Sequence, residues 1–89
     1  MLFRSVEEKK INLTPTEFSI LRILVQNADK VLTHQQISHQ VWGRNHDTPA
    51  HLLRVNISNL RHKLERNPSR PEYIITEPGV GYRLMAFER

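Results

Sequence analysis

The sequence predicts an α+β domain: a small N-terminal antiparallel strand pair, three helices and a C-terminal β-hairpin. Three observations predict it. Apolar residues recur at helical spacing in three separate segments, two of which open on a Thr-x-x-Glu or Thr-x-x-Gln pattern. β-rich residues lie on both sides of Pro78 and Gly79. The chain has 89 residues, room for a single domain spanning 1–89 with a small core.

Residues 2–6 and 10–13 read as two short strands, with "EEKK" as the turn. Thr14 is a good helix N-cap, Pro15 suits the first helical position, and Glu17 completes a capping box. Such a cap is worth about 1 kcal/mol. The first helix should run over 15–27, with Phe18, Leu21, Leu24 and Val25 as its apolar face, widened by Ile20 and Ile23. Val31 and Leu32 suit a very short strand. Thr33 and Gln36 form a second capping box, Ile37 and Val41 lie one turn apart, and Gly43 ends the second helix after Trp42.

The polar segment "GRNHDT", 43–48, reads as a loop. Thr48 and Pro49 open a third helix in the manner of Thr14 and Pro15, and the prolines at 68 and 71 end it near Arg66. Residues 73–76 and 82–87 then read as a hairpin with 78–81 at its tip. Helix, loop, helix and hairpin in this order make a winged helix-turn-helix.

The third helix, "PAHLLRVNISNLRHKL", carries a buried stripe of Leu53, Ile57, Leu60 and Leu64. At 100° per residue these fall within about 60° of one another. Val55 lies roughly opposite, with His51, Ser58 and His62. Asn59 and Arg66 flank that face on one side and Arg54 on the other, with Arg61 nearer the core edge. Arg donates to guanine O6 and N7, Asn pairs with adenine, and a small aliphatic group packs on a thymine methyl. Major-groove reading therefore accounts for Val55; a solvated face with one stray valine is the plainer alternative.

Thirteen Lys and Arg against nine Asp and Glu give a net charge of +4, which favours an anionic partner. Arg54, Arg61, Lys63, Arg66 and Arg70 concentrate it late in the chain. With no cysteine there is no disulfide or thiolate metal site, and a reducing cytoplasm is suitable. No apolar run approaches the roughly 20 residues of a membrane span. The charged start does not resemble a signal peptide. His34 and His39 are five apart and do not stack on one helix face, so neither metal nor cofactor is expected. Ser58, His62 and Glu65 share a helix without a buried base or an oxyanion hole, so no enzyme is expected.

"LTPTEFSILRIL", "KVLTHQQISHQVWG", "RVNISNLRHKLE" and "IITEPGVGYRL" together resemble the C-terminal effector domain of OmpR/PhoB-class bacterial response regulators, in order and spacing over 2–88. The stretch 51–83 resembles, without a gap, a branch that controls potassium-uptake genes. The resemblance implies a preceding receiver domain, through which a cognate sensor kinase acts, and a family sheet of four N-terminal strands of which two fit here. It implies sequence-specific binding to double-stranded promoter DNA by a piece that is monomeric alone.

Carried over by position, His51, Leu52, Val55, Asn56, Ser58, Asn59 and Arg61 face DNA, with Arg54, His62 and Lys63 beside them. Trp42 matches a phosphate-backbone contact, although packing at the core edge suits an indole equally. Thr76 and Tyr82 match wing positions near the minor groove or phosphates. Gly43, Arg44, Asn45, His46, Asp47 and Thr48 match the segment through which some relatives contact RNA polymerase.

Ser58 and Asn59 stand where relatives often carry arginine, which predicts a shallower salt dependence. Pro78 stands at a wing position that often holds arginine, leaving Arg83, Arg70 or Lys63 to compensate. Arg61 has two readings, a phosphate contact or a pair with Glu17. A different class of function also fits: a winged helix that docks on RNA polymerase or a partner domain without reading bases.

Overall fold

The computed structural model describes residues 12–43 and 49–85. Its elements are α1 (Pro15–Gln26), β1 (Val31–Thr33), α2 (His34–Trp42), α3 (Ala50–Leu64), β2 (Ile74–Glu77) and β3 (Gly81–Leu84). The strands form one antiparallel sheet in the order β1-β3-β2. The three helices and the hairpin follow the predicted order, and β1 joins the hairpin as a third strand. The expected N-terminal strands at 2–6 and 10–11 lie outside the described residues, and Asn12 and Leu13 carry no strand.

Both capping boxes form. In α1 the Thr14 hydroxyl accepts from the Glu17 amide at 3.1 Å, and the Glu17 carboxylate accepts from the Thr14 amide at 3.0 Å. In α2 the same exchange joins Thr33 and Gln36, at 3.0 and 2.8 Å. The buried face of α1 is Glu17, Ile20, Leu21, Ile23 and Leu24. Phe18 is exposed and Val25 half-buried, contrary to the expectation for that face. The buried arc centres between Ile20 and Leu24, and Val25 and Phe18 stand about 120–140° to one side of it. A charged residue within the buried face hid the register.

α3 starts and stops differently from the reading above. Pro49 is its N-cap, without a side-chain hydrogen bond, rather than its first helical residue. The helix ends at Leu64, two residues before Arg66, because Glu65 turns into extended conformation. The Glu65 carboxylate then accepts from the amides of Glu72 (2.8 Å), Tyr73 (3.1 Å) and Ile74 (2.8 Å). One buried carboxylate thereby satisfies three backbone donors where the chain enters β2.

The hairpin is shifted by one residue toward its tip from the predicted strands: Ile74 pairs with Leu84 and Glu77 with Gly81, while residues 86 and 87 of the predicted second strand lie outside the described region. Its tip is a type II turn. The Val80 amide donates to the Glu77 carbonyl at 3.0 Å, Pro78 takes the first central position, and Gly79 takes the second with φ 75°. Gly81 is required for a separate reason: a Cβ there would lie 1.9 Å from the Leu32 carbonyl oxygen. The spacing Gly-Val-Gly thus encodes one turn and one close strand contact.

The core lies where α1, α2 and α3 meet the sheet. Ile20, Leu21, Leu24, Ile37, Leu53, Ile57, Leu60, Ile74 and Leu84 are fully buried there, with Leu13, Val25, Val41, Trp42, Leu64 and Tyr73 packed around them.

Candidate nucleic-acid interface

α3 has two unlike faces. Leu53, Ile57 and Leu60 are at most 1% exposed and fix the helix against the core. On the opposite side His51, Arg54, Val55, Ser58, Asn59 and His62 are exposed. Val55 is 49% exposed, so it lies outside the core and the helical register read from the sequence is right. His62 Nδ1 bonds the Ser58 carbonyl at 2.8 Å and so donates to it, which leaves Nε2 as the outward-facing nitrogen. Asn56 is half-buried, and its amide donates to the Leu52 carbonyl at 2.9 Å. Leu52 is half-buried too, so these two lie at the rim of the face.

The wing is fastened to α3 at two points. Glu65 holds its base, as described. Arg61, one turn earlier, donates from Nε (3.1 Å) and Nη2 (2.9 Å) to the Ile74 carbonyl and from Nη2 to Thr76 Oγ1 (2.6 Å). Thr76 is exposed. Tyr82, expected near DNA, is only 4% exposed. Its ring stacks on His34, with centroids 5.2 Å apart, and lies 5.9 Å from the Arg61 guanidinium carbon. Burial pushes the Tyr82 phenol above its usual value, and Arg61 and Arg54 pull it partly back.

Of the two readings considered for Arg61, the pair with Glu17 does not form; Glu17 pairs with Lys63 instead. The Lys63 ammonium lies 2.5 Å from Glu17 Oε1. Burial pushes the Glu17 carboxyl up, but the hydrogen bonds and charge from Lys63, together with Thr14, outweigh it and hold the carboxyl below its usual range. Arg83 Nε sits 2.9 Å from Glu77 Oε2, an ion pair without hydrogen-bond alignment. Lys63 and Arg83 are therefore both committed within the fold. Arg54, Arg66 and Arg70 are exposed and form no ion pair among the described residues.

Trp42, the last residue of α2, is half-buried and packs on the core edge. Gly43 follows as the C-cap with φ 94°. Arg44, Asn45, His46, Asp47 and Thr48 lie outside the described residues. Sequence reasoning missed Glu65 and the His34–Tyr82 stack. A lone glutamate at a helix end carries no signal of burial, and residues 34 and 82 meet only because β1 pairs with β3. Among the described residues no helix is long and apolar enough to cross a membrane.

The sequence profile described as "Transcriptional regulatory protein, C terminal" matches residues 8–84. The chain belongs to this family. Within it, the KDP operon transcriptional regulatory protein KdpE of Escherichia coli is 50% identical over 78 residues, 88% of this chain and 35% of that protein. KdpE of Mycobacterium tuberculosis is 42% identical over 77 residues, 86% of this chain and 34% of that protein. This member of the family thus spans about a third of the length of its relatives.

Among solved structures the family resemblance extends to Thermotoga maritima DrrB, an OmpR/PhoB homologue, with a TM-score of 0.79 and 34% identity over 85% of this chain and 34% of that one. The DNA-binding domain of Klebsiella pneumoniae RstA, solved in complex with the RstA box, has a TM-score of 0.75 and 27% identity over 84% of this chain and 74% of that one. The fold is accordingly the winged helix-turn-helix of OmpR/PhoB-type regulators.

Proposed function

We propose that this chain is the effector domain of a response regulator, binding promoter DNA sequence-specifically and so controlling transcription. The observation that carries the reading is the outward face of α3, where hydrogen-bonding groups and the Val55 isopropyl group stand exposed opposite a fully buried stripe. In this reading α3 lies in the major groove. His51, Ser58, Asn59 and His62 offer donors and acceptors to base edges, and Val55 meets a thymine methyl. Arg54, Arg66 and Arg70 supply phosphate charge, which sets register and affinity but not sequence.

The RstA relative on its DNA box supports this use of the fold. The likeness to KdpE supports an operator of the KDP-operon type, among potassium-uptake genes. A cognate sensor kinase acting through a receiver domain, contact with RNA polymerase through 43–48, and a cytoplasmic location belong to the same proposal for the whole protein.

The test selects duplexes from a randomised library with this domain, then titrates it against the selected duplex and a scrambled one at several salt concentrations. Enrichment of one motif, with preference retained at every salt, is expected. Equal affinity for both duplexes at all salts would overturn direct reading.

A further inference from the structure

Arg61 joins four elements. It projects from α3, donates to two groups of β2, lies beside the Tyr82 ring of β3, and through that ring reaches His34 of α2. We propose that Arg61 is a positioning residue that fixes the wing relative to the recognition helix, and that its effect on DNA binding comes from this geometry and not from a phosphate contact. The proposal rests on the DNA-binding reading above.

β2 is an edge strand, because the sheet order is β1-β3-β2. The Tyr73 carbonyl accepts from the Met85 amide at 2.7 Å, toward the β3 side. Carbonyls alternate along a strand, so the next one, at Ile74, points to the open edge. That edge faces α3, and Arg61 satisfies the carbonyl there with two N–H groups while a further N–H reaches Thr76. Nη1 alone makes no hydrogen bond with a described residue.

Arg61 and Glu65 lie four apart and so share one side of the helix line. Glu65 grips the amides that lead into β2 as far as Ile74, and Arg61 grips the carbonyl of Ile74 and the hydroxyl of Thr76, two residues further on. A single attachment would leave a hinge. Two attachments define an angle, and that angle decides where the tip at Pro78, Gly79 and Val80 lies when α3 occupies a groove. The planar guanidinium fork suits this task, whereas a lysine ammonium retains the charge and loses the fork.

The two roles separate experimentally. Arg61→Lys, Arg61→Gln and Thr76→Val are titrated against the duplex selected by the unsubstituted domain, and against a scrambled duplex, over a range of salt. Positioning predicts that both Arg61 variants lose about tenfold in affinity for the selected duplex, the scale of one or two hydrogen bonds. It predicts a smaller loss for Thr76→Val. The slope of log K against log salt should stay at the unsubstituted value throughout. In amide NMR spectra, DNA-induced shifts at Gly79 and Val80 should shrink while those along α3 from His51 to Asn59 persist.

A phosphate contact predicts the opposite pattern. Arg61→Lys would bind like the unsubstituted domain, and Arg61→Gln would lose about 0.9 from the slope with the wing shifts intact. Either result overturns the proposal. Should the Arg61 variants fail to fold, Thr76→Val decides: unchanged affinity and unchanged wing shifts overturn it. An unsubstituted domain that does not distinguish the two duplexes overturns the DNA-binding reading itself, and this proposal with it.

Discussion

Val55 is the residue on which the functional reading turns, because an exposed aliphatic group on a polar helix face has nothing to gain from water. Its isopropyl group lies outside the core. Val55→Ala should therefore change stability by less than about 0.5 kcal/mol in urea unfolding. The same substitution should weaken preference at one A·T pair by about 1 kcal/mol in competition binding. Gly81 is the reverse case, a residue set by a close strand contact. A Cβ at 1.9 Å from the Leu32 oxygen cannot coexist with the β1–β3 pairing. Gly81→Ala should cost about 3 kcal/mol or more by the same unfolding measurement, because the strands must part to admit the methyl group.

Glu17 makes stability depend on pH. Its folded pKa lies below the ordinary 4.5, so the unfolded chain holds the proton more tightly. The stabilisation is complete above the unfolded value and is lost as pH falls through the lowered folded one. Melting temperature followed downward from pH 6 should fall on this acid limb, and Glu17→Gln should flatten it.

At the scale of elements, the joint between α3 and the wing holds the site together. Glu65→Ala would strand three amide donors at that joint, and a loss of about 3 kcal/mol is expected from urea unfolding. Helices whose termini are signalled locally were legible. Thr14 with Glu17, and Thr33 with Gln36, mark starts that the structure reproduces. The α3 register was legible because Leu53, Ile57 and Leu60 follow at intervals of four and three without interruption.

What escaped the sequence was set by tertiary partners. The end of α3 is decided by amides seven to nine residues away, the pairing of Glu17 by Lys63 of α3, and the burial of Tyr82 by His34 and Arg61. The candidate site was legible in its helix and less so in its wing. Arg61 and Tyr82 look like surface contacts in a linear reading and are turned inward by the hairpin.

At the scale of the whole molecule, charge among the described residues is divided between holding the fold together and facing outward. Lys63 and Arg83 are spent on Glu17 and Glu77, while Arg54, Arg66 and Arg70 are exposed. With about three phosphates neutralised, log K should fall with log salt at a slope near −3, measurable by fluorescence anisotropy. So shallow a slope leaves discrimination to the base-facing side of α3 and to the set of the wing.

The most direct test of that division is an intermolecular NOE experiment on the domain bound to its selected duplex. The thymine C5 methyl lies only in the major groove. Groove reading by α3 predicts cross-peaks between the Val55 γ-methyls and a thymine methyl, absent with a scrambled duplex. Contacts to DNA from α1, or a bound complex in which Val55 touches no base, would contradict it.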